Sequence, residues 1–492
     1  MSTPRFLFAD QLGPHFDDGG AIVLVEATAV LGRRTYHRAK AHLILSALRH
    51  RARELGDRVE FLRAEHYRDV LRGRDLEVIN PTSWGSRALV AELGATVLPS
   101  RGFVTSEQDF AQWAAGRPTS RLLMEDFYRT VRTSTGVLMR GSEPEGARFN
   151  FDHDNRQPPP KGAVSLGLPD VWAPVEDEID AEVRRDLDRL VAEGRVHLIG
   201  ADGPRRFAAT RAEALAALDD FIETRLADFG PFEDASLTGD SEMAHSRLSV
   251  PLNLGLLHPQ EVIDAVVAAY YGGGAHRGGA PLASVEAVVR QIMGWRDWVW
   301  HLYWHLGEDY VAESNFLAAN EPLPAAFLEL DGASVKARCL SHVLDEVNRT
   351  GWAHHIQRLM ILGNWSLQRG YQPAALSDWF INAFVDGTPW VMPANVVGMS
   401  QHADGGIVAT KPYASGGAYI SKMTDFCGAC RFNPKVRLGP DACPFTAGYW
   451  AFLDRVEPRI RGNHRMSQPL AGLRRLADRD AVVEQERHRT IW

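Results

Sequence analysis

Long apolar runs, an export signal and the common nucleotide-binding motifs are missing from this chain of 492 residues. No hydrophobic stretch approaches the roughly 20 residues that cross a bilayer as a helix, which excludes a helical membrane protein. The first residues lack the apolar run and cleavage site of a signal peptide, so we expect a cytoplasmic protein. Neither G-x-G-x-x-G nor a Walker motif occurs, and no glycine-rich phosphate cradle is predicted for the N-terminal part.

Cysteine is also scarce, with four residues in an informative arrangement. Cys339 stands alone, whereas Cys427, Cys430 and Cys443 lie close together far downstream. A reducing cytosol favours thiolates that bind metal over disulfides. Zinc and iron-sulfur clusters both accept four thiolates, and the distant first ligand would join separate helices instead of folding a small zinc knuckle. The spacing favours an iron-sulfur cluster and leaves zinc open.

The net charge of -8 argues against a general nucleic-acid binder, but the charge is unevenly distributed. Residues 421–475 contain ten Lys or Arg and four acidic residues. A basic face of this kind could follow a phosphate backbone. A solvated, arginine-rich helical surface explains the same charge equally well.

Strand-like and helical segments alternate in the first part of the chain, which predicts a parallel α/β sheet with ligands at the carboxyl ends of its strands. The polar Asp10 and Gln11 follow the first strand, and Glu26 closes the second. They suit ligand contacts there, or equally turns and caps. The segments that carry this prediction are residues 5–9, 21–26, 36–55 and 59–63.

The length predicts two or three domains, since single cores stop growing beyond about 250–300 residues. A polar, proline-bearing stretch at 148–160 is typical of an interdomain connection. From about residue 211 the pattern is helical almost throughout, in segments such as 211–226, 259–271 and 284–306. We therefore predict a Rossmann-like α/β domain, a linker and a large all-α domain, with boundaries at 1–135, 136–205 and 206–492.

Several motifs together resemble one protein family. The segment His245-Ser-Arg-Leu-Ser-Val-Pro-Leu-Asn253 is similar to the phosphate-holding segment of the photolyase and cryptochrome flavoproteins. Its serines would suit an anion at a helix start, or could be helix caps. Asp386 and Asn395 resemble that family's flavin-facing pair. A narrower resemblance, to the iron-sulfur bacterial cryptochromes and (6-4) photolyases, rests on Trp352-Ala-His-His-Ile-Gln-Arg358, Gly398-Met-Ser-Gln401, Thr410-Lys-Pro-Tyr413 and the cysteines with Pro444 and Phe445.

The resemblance implies three cofactors. A [4Fe-4S] cluster would be held by Cys339, Cys427, Cys430 and Cys443. FAD would lie in the helical domain, and 6,7-dimethyl-8-ribityllumazine would be the antenna in the α/β domain, at Asp10, Gln11 and Glu26. The residues implied to bind FAD are Ser246, Leu248, Ser249, Asn253, Gln291, Asp386 and Asn395.

The implied activity is repair of (6-4) pyrimidine-pyrimidone photoproducts in UV-damaged DNA by an electron from light-excited reduced FAD. Such a lesion also needs a proton moved, and an imidazole is suited to donating it. His354 and His355 carry this role under the resemblance, although two packed helix histidines would be the ordinary interpretation of the pair alone. Tyr413 and Tyr419 could contact the flipped-out lesion, or be ordinary half-buried tyrosines.

The chain departs from the family in its electron path. Asp331 stands where repair members have a tryptophan, and a carboxylate cannot serve as a hopping site. Trp379 matches the flavin-proximal tryptophan, but Phe380 follows it where some members have a tyrosine. We therefore expect photoreduction to be slow or to use another path.

Two rival functions remain open. The first is a blue-light photoreceptor of the same fold, and the second is a nucleic-acid-binding protein whose cluster and flavin are structural or redox-sensing. The histidine pair favours repair. We expect a monomer that acts on UV-damaged DNA.

Overall fold

The computed structural model describes residues 3–119, 122–272 and 279–491. Its strands are β1 (Arg5–Leu7), β2 (Ile22–Ala27), β3 (Tyr36–His37), β4 (Val59–Ala64), β5 (Glu77–Ile79), β6 (Thr96–Leu98), β7 (Met139–Arg140), β8 (Glu143–Pro144) and β9 (Leu198–Ile199).

Five of these strands form a parallel sheet in the order β4-β2-β1-β5-β6. Strand β2, which lies between β4 and β1, is apolar nearly throughout and buried on both faces, as parallel strands covered by helices are. The predicted α/β fold of the N-terminal part is confirmed. The helices of this part are α1 (Thr28–Gly32), α2 (Arg38–Leu55), α3 (Tyr67–Leu71), α4 (Trp84–Leu93), α5 (Glu107–Ala114) and α6 (Met124–Thr135).

The predicted linker contains regular structure. Helix α7 (Glu178–Ala192) packs against α2, and β9 pairs in parallel with β3. Asp177 begins α7 with a capping box, since its side chain accepts from Ile179 N while Asp180 reaches back to the Asp177 backbone. The predicted domain boundaries remain a prediction.

The rest of the described chain is helical, as predicted. Its helices are α8 (Arg211–Thr224), α9 (Leu226–Phe232), α10 (Ser249–Asn253), α11 (Pro259–Tyr270), α12 (Leu282–Val289), α13 (Asp297–Leu306), α14 (Tyr310–Glu313), α15 (Ala325–Leu328), α16 (Arg338–Thr350), α17 (His355–Gln357), α18 (Asn364–Arg369), α19 (Pro373–Ala383), α20 (Gly417–Met423), α21 (Pro444–Ile460), α22 (Ser467–Arg474) and α23 (Arg479–Arg487).

Three π-helical segments interrupt these helices, at Arg290–Arg296, Arg358–Gly363 and Pro393–Ser400. The first divides the single helix predicted for 284–306. The second and third meet at Gly363, where a Cβ atom would lie 2.2 Å from Ser400 Oγ, so only glycine fits. π-Helical turns are rare and occur often at functional sites.

The two parts share one buried apolar core. Leu43 of α2, Leu252 of α10 and Trp300 of α13 belong to the same cluster of buried side chains. A smaller core, around Leu344 and Phe384, lies wholly in the helical part. Among the described residues, no helix is long and apolar enough to span a membrane.

Candidate active site

His354 and His355 stand where the chain turns from α16 into α17. Gly351 ends α16 with a φ of 64°, a left-handed conformation that favours glycine. His354 is the N-cap of α17 and is 1% exposed, whereas the side chain of His355 is 51% exposed. One imidazole is therefore inside the protein and the other at its surface.

A third imidazole, from His245, joins them. Its ring stacks on that of His354, with centroids 4.2 Å apart and planes 15° apart, and lies 5.4 Å from the ring of His355. We call these three residues the histidine cluster. Sequence reasoning placed His245 only at the start of the phosphate-holding segment, because no local pattern links it to histidines about a hundred residues downstream.

Asp234 contacts His355, the exposed member of the histidine cluster. Its Oδ1 lies 3.4 Å from His355 Nε2, and the Tyr419 hydroxyl donates to the same carboxylate. Burial raises the pKa of Asp234, but the hydrogen bond with His355 and nearby positive charge outweigh it, so this pKa lies below its usual value. Burial and the Asp234 charge raise the pKa of Tyr419. Sequence reasoning missed Asp234, which has no motif of its own.

The inner pair of the histidine cluster is neutral. Burial lowers the pKa of His245 and of His354 well below the usual range, and charge on His355 lowers both further. Both ring nitrogens of His354 and the Nε2 atom of His245 lack a hydrogen-bond partner among the described residues. Tyr413, the fourth residue predicted for lesion chemistry, is 40% exposed.

Asp386 is the centre of a second polar group, which contains three residues predicted to bind flavin. Ser249 Oγ donates to Asp386 Oδ2 across 2.7 Å, and Asn253 Nδ2 donates to the Asp386 carbonyl across 3.0 Å. Two guanidinium nitrogens of Arg358 donate to the two carboxylate oxygens, at 2.8 and 3.1 Å. This bidentate and largely buried pair fixes the Asp386 side chain.

Lys40 reaches the same loop from α2. Its Nζ donates to the carbonyl oxygens of Ile381 and Gly387, at 2.6 and 2.5 Å. Burial lowers the pKa of Lys40 to about 7, although the charge of Asp386 opposes this. The buried lysine therefore joins the α/β part to the backbone on either side of Asp386.

The remaining residues predicted for FAD lie on separate elements. Leu248 is buried directly before α10, and Ser246 lines a cavity that also contains Trp172 and three arginines. Gln291 and Asn395 both lie in π-helical segments, and Asn395 Nδ2 donates to the Val391 carbonyl across 2.9 Å.

Two buried polar atoms test whether a flavin suits this region. Asn382 Oδ1 and Thr388 Oγ1, which flank Asp386 in the sequence, lack hydrogen-bond partners among the described residues. Buried polar atoms are normally paired, because an unpaired one costs about 1–3 kcal/mol. A ring with hydrogen-bond donors and acceptors would pair them, so the residues present fit a flavin.

Trp379 and Asp331 occupy different surroundings. Trp379 is buried, and its Nε1 donates to the Phe327 carbonyl across 2.7 Å. Phe380 stacks on Phe384 with centroids 5.1 Å apart. Asp331 is half-buried and its Oδ1 accepts from Ser334 N across 3.2 Å, so it stabilises the turn before α16.

A small cavity lies at the carboxyl ends of β1, β5 and β6, and Asp10 and Gln11 line it. Burial raises the pKa of Asp10, whose carboxylate accepts a hydrogen bond from Thr82. The Gln11 amide instead pairs with backbone, donating to the Ile79 carbonyl across 3.0 Å. Sequence reasoning missed four other polar residues that line the cavity, Asn80, Thr82, Ser100 and Arg296, and assigned a fifth, Asn253, to FAD.

Glu26 has a different environment from Asp10 and Gln11. It is buried and accepts two hydrogen bonds from Arg49, at 2.8 and 2.9 Å. Arg49 also binds Asp186 of α7. The Glu26 carboxylate thus forms part of an ion network between the sheet, α2 and α7.

The four cysteines converge on one cavity. Cys339 lies in the first turn of α16, Cys443 precedes α21, and both are buried, whereas Cys427 and Cys430 are half-buried. All four are free thiols, and their other neighbours are mainly apolar. Burial and neighbouring thiols raise the pKa of Cys427 to about 11. A metal centre would offset this cost by binding the thiolates, so four convergent thiols in an apolar pocket fit a four-thiolate group.

The basic stretch 421–475 is only partly neutralised. Arg437 pairs with Asp478 at 3.0 Å, and Arg474 with Glu457 at 2.9 Å. Eight other basic residues of the stretch are exposed, namely Lys422, Arg431, Lys435, Arg455, Arg459, Arg461, Arg465 and Arg475.

Comparisons with known proteins agree with this architecture. Residues 6–197 match the model of the family described as deoxyribodipyrimidine photo-lyase-related protein. A (6-4) photolyase of Agrobacterium fabrum is 39% identical over 97% of this chain and 96% of its own. A bacterial class III photolyase of Agrobacterium tumefaciens superposes with a TM-score of 0.54 at 16% identity, covering 97% of this chain and 93% of its own. A Synechocystis sp. PCC6803 cryptochrome superposes with a TM-score of 0.55 at 13% identity, covering 96% of this chain and 92% of its own.

The two structural neighbours support the fold alone, whereas the sequence relative matches over nearly its full length. FAD is the cofactor that this family implies. The chain belongs to the photolyase and cryptochrome family, among the bacterial relatives of (6-4) photolyase.

Proposed function

We propose that this protein is a (6-4) DNA photolyase, which uses light and reduced FAD to repair pyrimidine-pyrimidone photoproducts. The observation that carries the proposal is the histidine cluster with Asp234. In this group the Asp234 carboxylate contacts the half-exposed imidazole of His355, which lies beside the neutral, buried pair of His245 and His354.

FAD, when bound and reduced, supplies the light-driven electron that starts the repair. Ser246, Leu248, Ser249, Asn253, Gln291, Asp386 and Asn395 are the residues that would hold it. Because Arg358 neutralises Asp386 and also fixes it, the carboxylate presents one orientation to the flavin region.

His355 is the residue that we assign to proton donation. Its half-exposed ring can reach an extruded base, and His354, which is 1% exposed, supports it from inside. Asp234 fixes the His355 ring through the contact at Nε2. The proton can then leave from the other ring nitrogen, Nδ1.

The damaged DNA would be held by aromatic and basic side chains. Tyr419 keeps its proton and shares Asp234 with His355, so it is positioned beside the proton donor. The exposed Tyr413 offers a ring for stacking on a base. The exposed basic side chains of 421–475 would follow the phosphates, so we expect binding to weaken as salt rises.

We assign a [4Fe-4S] cluster to Cys339, Cys427, Cys430 and Cys443. The convergence of four free thiols on an apolar pocket supports it. We assign the lumazine antenna to the cavity lined by Asp10 and Gln11. Glu26 remains a predicted contact of the antenna, although Arg49 engages both its carboxylate oxygens.

Repair of a defined lesion tests this proposal. The reduced protein with its cofactors would be irradiated with an oligonucleotide containing one (6-4) photoproduct, with a cyclobutane-dimer oligonucleotide and a dark sample as controls. We expect light-dependent loss of the (6-4) lesion only. Flavin photochemistry without lesion loss would favour the photoreceptor role instead.

A further inference from the structure

The histidine cluster has the composition of a transition-metal site. One ring nitrogen from each of His245, His354 and His355 lies within 4.8 Å of the other two. Imidazole is a preferred ligand of zinc, copper and nickel, whereas magnesium and calcium prefer oxygen.

The ring nitrogens of the buried pair are available as ligands. His354 is 1% exposed and His245 is 6% exposed, and His354 Nδ1 and Nε2 and His245 Nε2 lack hydrogen-bond partners among the described residues. Both rings carry a free lone pair because burial keeps them neutral, and metal ions bind the neutral form. Unpaired nitrogens of this kind are suited to an ion.

The geometry needs only a small adjustment. Zinc–nitrogen bonds of about 2.0–2.1 Å in a tetrahedron place the nitrogens roughly 3.4 Å apart, somewhat closer than the limit of 4.8 Å here. The rings of His245 and His354 are nearly parallel, so one must rotate for both lone pairs to point at one ion. His355 is half-exposed and gives the ion a path from solvent.

We propose that the histidine cluster binds one divalent transition-metal ion, with zinc as the representative. Asp234 adds a negative charge beside His355, as carboxylates commonly do behind metal-bound histidines. This inference rests on the proposed function for its consequence: a bound ion occupies the imidazoles that repair requires, so zinc inhibits repair. Binding itself is independent of that function.

A titration in the dark tests the site. The holoprotein, with intact iron content, would be titrated with zinc by calorimetry and with cobalt by absorbance, since tetrahedral cobalt gives characteristic visible bands. We expect one zinc per chain, unaffected by excess magnesium. H245N and H355N should each weaken zinc binding at least tenfold, and H488N, an exposed histidine outside the cluster, should not.

Three results would overturn the proposal. They are no zinc binding by the holoprotein, equal binding by H245N, H355N and the parent protein, or iron released in step with zinc, which would place the ion at the cysteines. If H245N fails to fold, H355N still tests the site, because the side chain of His355 is half-exposed. A protein that binds zinc through the cluster yet repairs no lesion would refute the proposed function and leave this site standing.

Discussion

The imidazole rings of His245 and His354 stack face to face, with centroids 4.2 Å apart. Two rings this close and this buried cannot both be charged, and burial holds both neutral. Of the three residues in the cluster, His355 alone is half-exposed, and it faces the Asp234 carboxylate. Of the two adjacent histidines, His354 is therefore buried, and His355, to which we assign proton donation, is half-exposed.

The stacked pair makes stability depend on pH in the acid range. Each ring has a folded pKa well below the usual value of 6.5, so the unfolded chain binds more protons. The stabilisation is complete above pH 6.5 and is lost as pH falls towards the folded pKa values. Replacing both residues by Phe should reduce the slope of unfolding free energy between pH 5 and 6.5 by up to about 2.7 kcal/mol per pH unit. Urea unfolding checks this, with H488F as control, and an unchanged slope would contradict it.

Removing the Asp386 charge should lower both the FAD content and the free energy of unfolding. In D386N the largely buried Arg358 loses its carboxylate, so we expect a loss of about 3–5 kcal/mol of unfolding free energy and a lower FAD content. The matched control is D378N on α19, whose exposed pair with Arg34 should contribute about 0–1 kcal/mol. Flavin absorbance and urea unfolding measure the two effects. Equal behaviour of the two variants would count against the flavin assignment.

Each cysteine should be needed for the cluster. We expect C339S and C430S to lose iron and the broad violet absorbance of an iron-sulfur cluster, because both side chains line the same cavity. C339S should also be less stable, since Cys339 is buried in the first turn of α16. S341A on the same helix is the control. Stoichiometric zinc without iron in the unmodified protein would overturn the assignment.

A tryptophan at position 331 should speed photoreduction. D331W restores an oxidisable ring at the position where the family has one, and we expect faster light-driven loss of oxidised flavin absorbance. The cost is the hydrogen bond from Ser334 N, about 1 kcal/mol. D331F has a ring of comparable bulk that is hard to oxidise, so it should not accelerate the reaction. Equal rates in both variants would show that position 331 is not on the path.

Local pattern predicted most of the fold and only part of the site. The apolar run of β2 and the helical periodicity of α2 were sufficient for the α/β part, because burial determines both patterns. The π-helical segment at Arg290–Arg296 was not predicted, since no local residue pattern marks a switch to i→i+5 hydrogen bonds within a helix. Asp234 and His245 were missed as partners of His355 because long-range packing, which no local motif encodes, brings them together.

Single-turnover repair by a His355 variant tests the central claim most directly. Reduced H355N, H488N and parent protein would be mixed with the (6-4) oligonucleotide, given identical light flashes, and assayed for restored pyrimidines. If His355 donates the proton, H355N should lose at least about 100-fold in repair per flash while H488N matches the parent protein. Repair by H355N at the parent rate, with equal lesion binding and flavin content, would contradict this account.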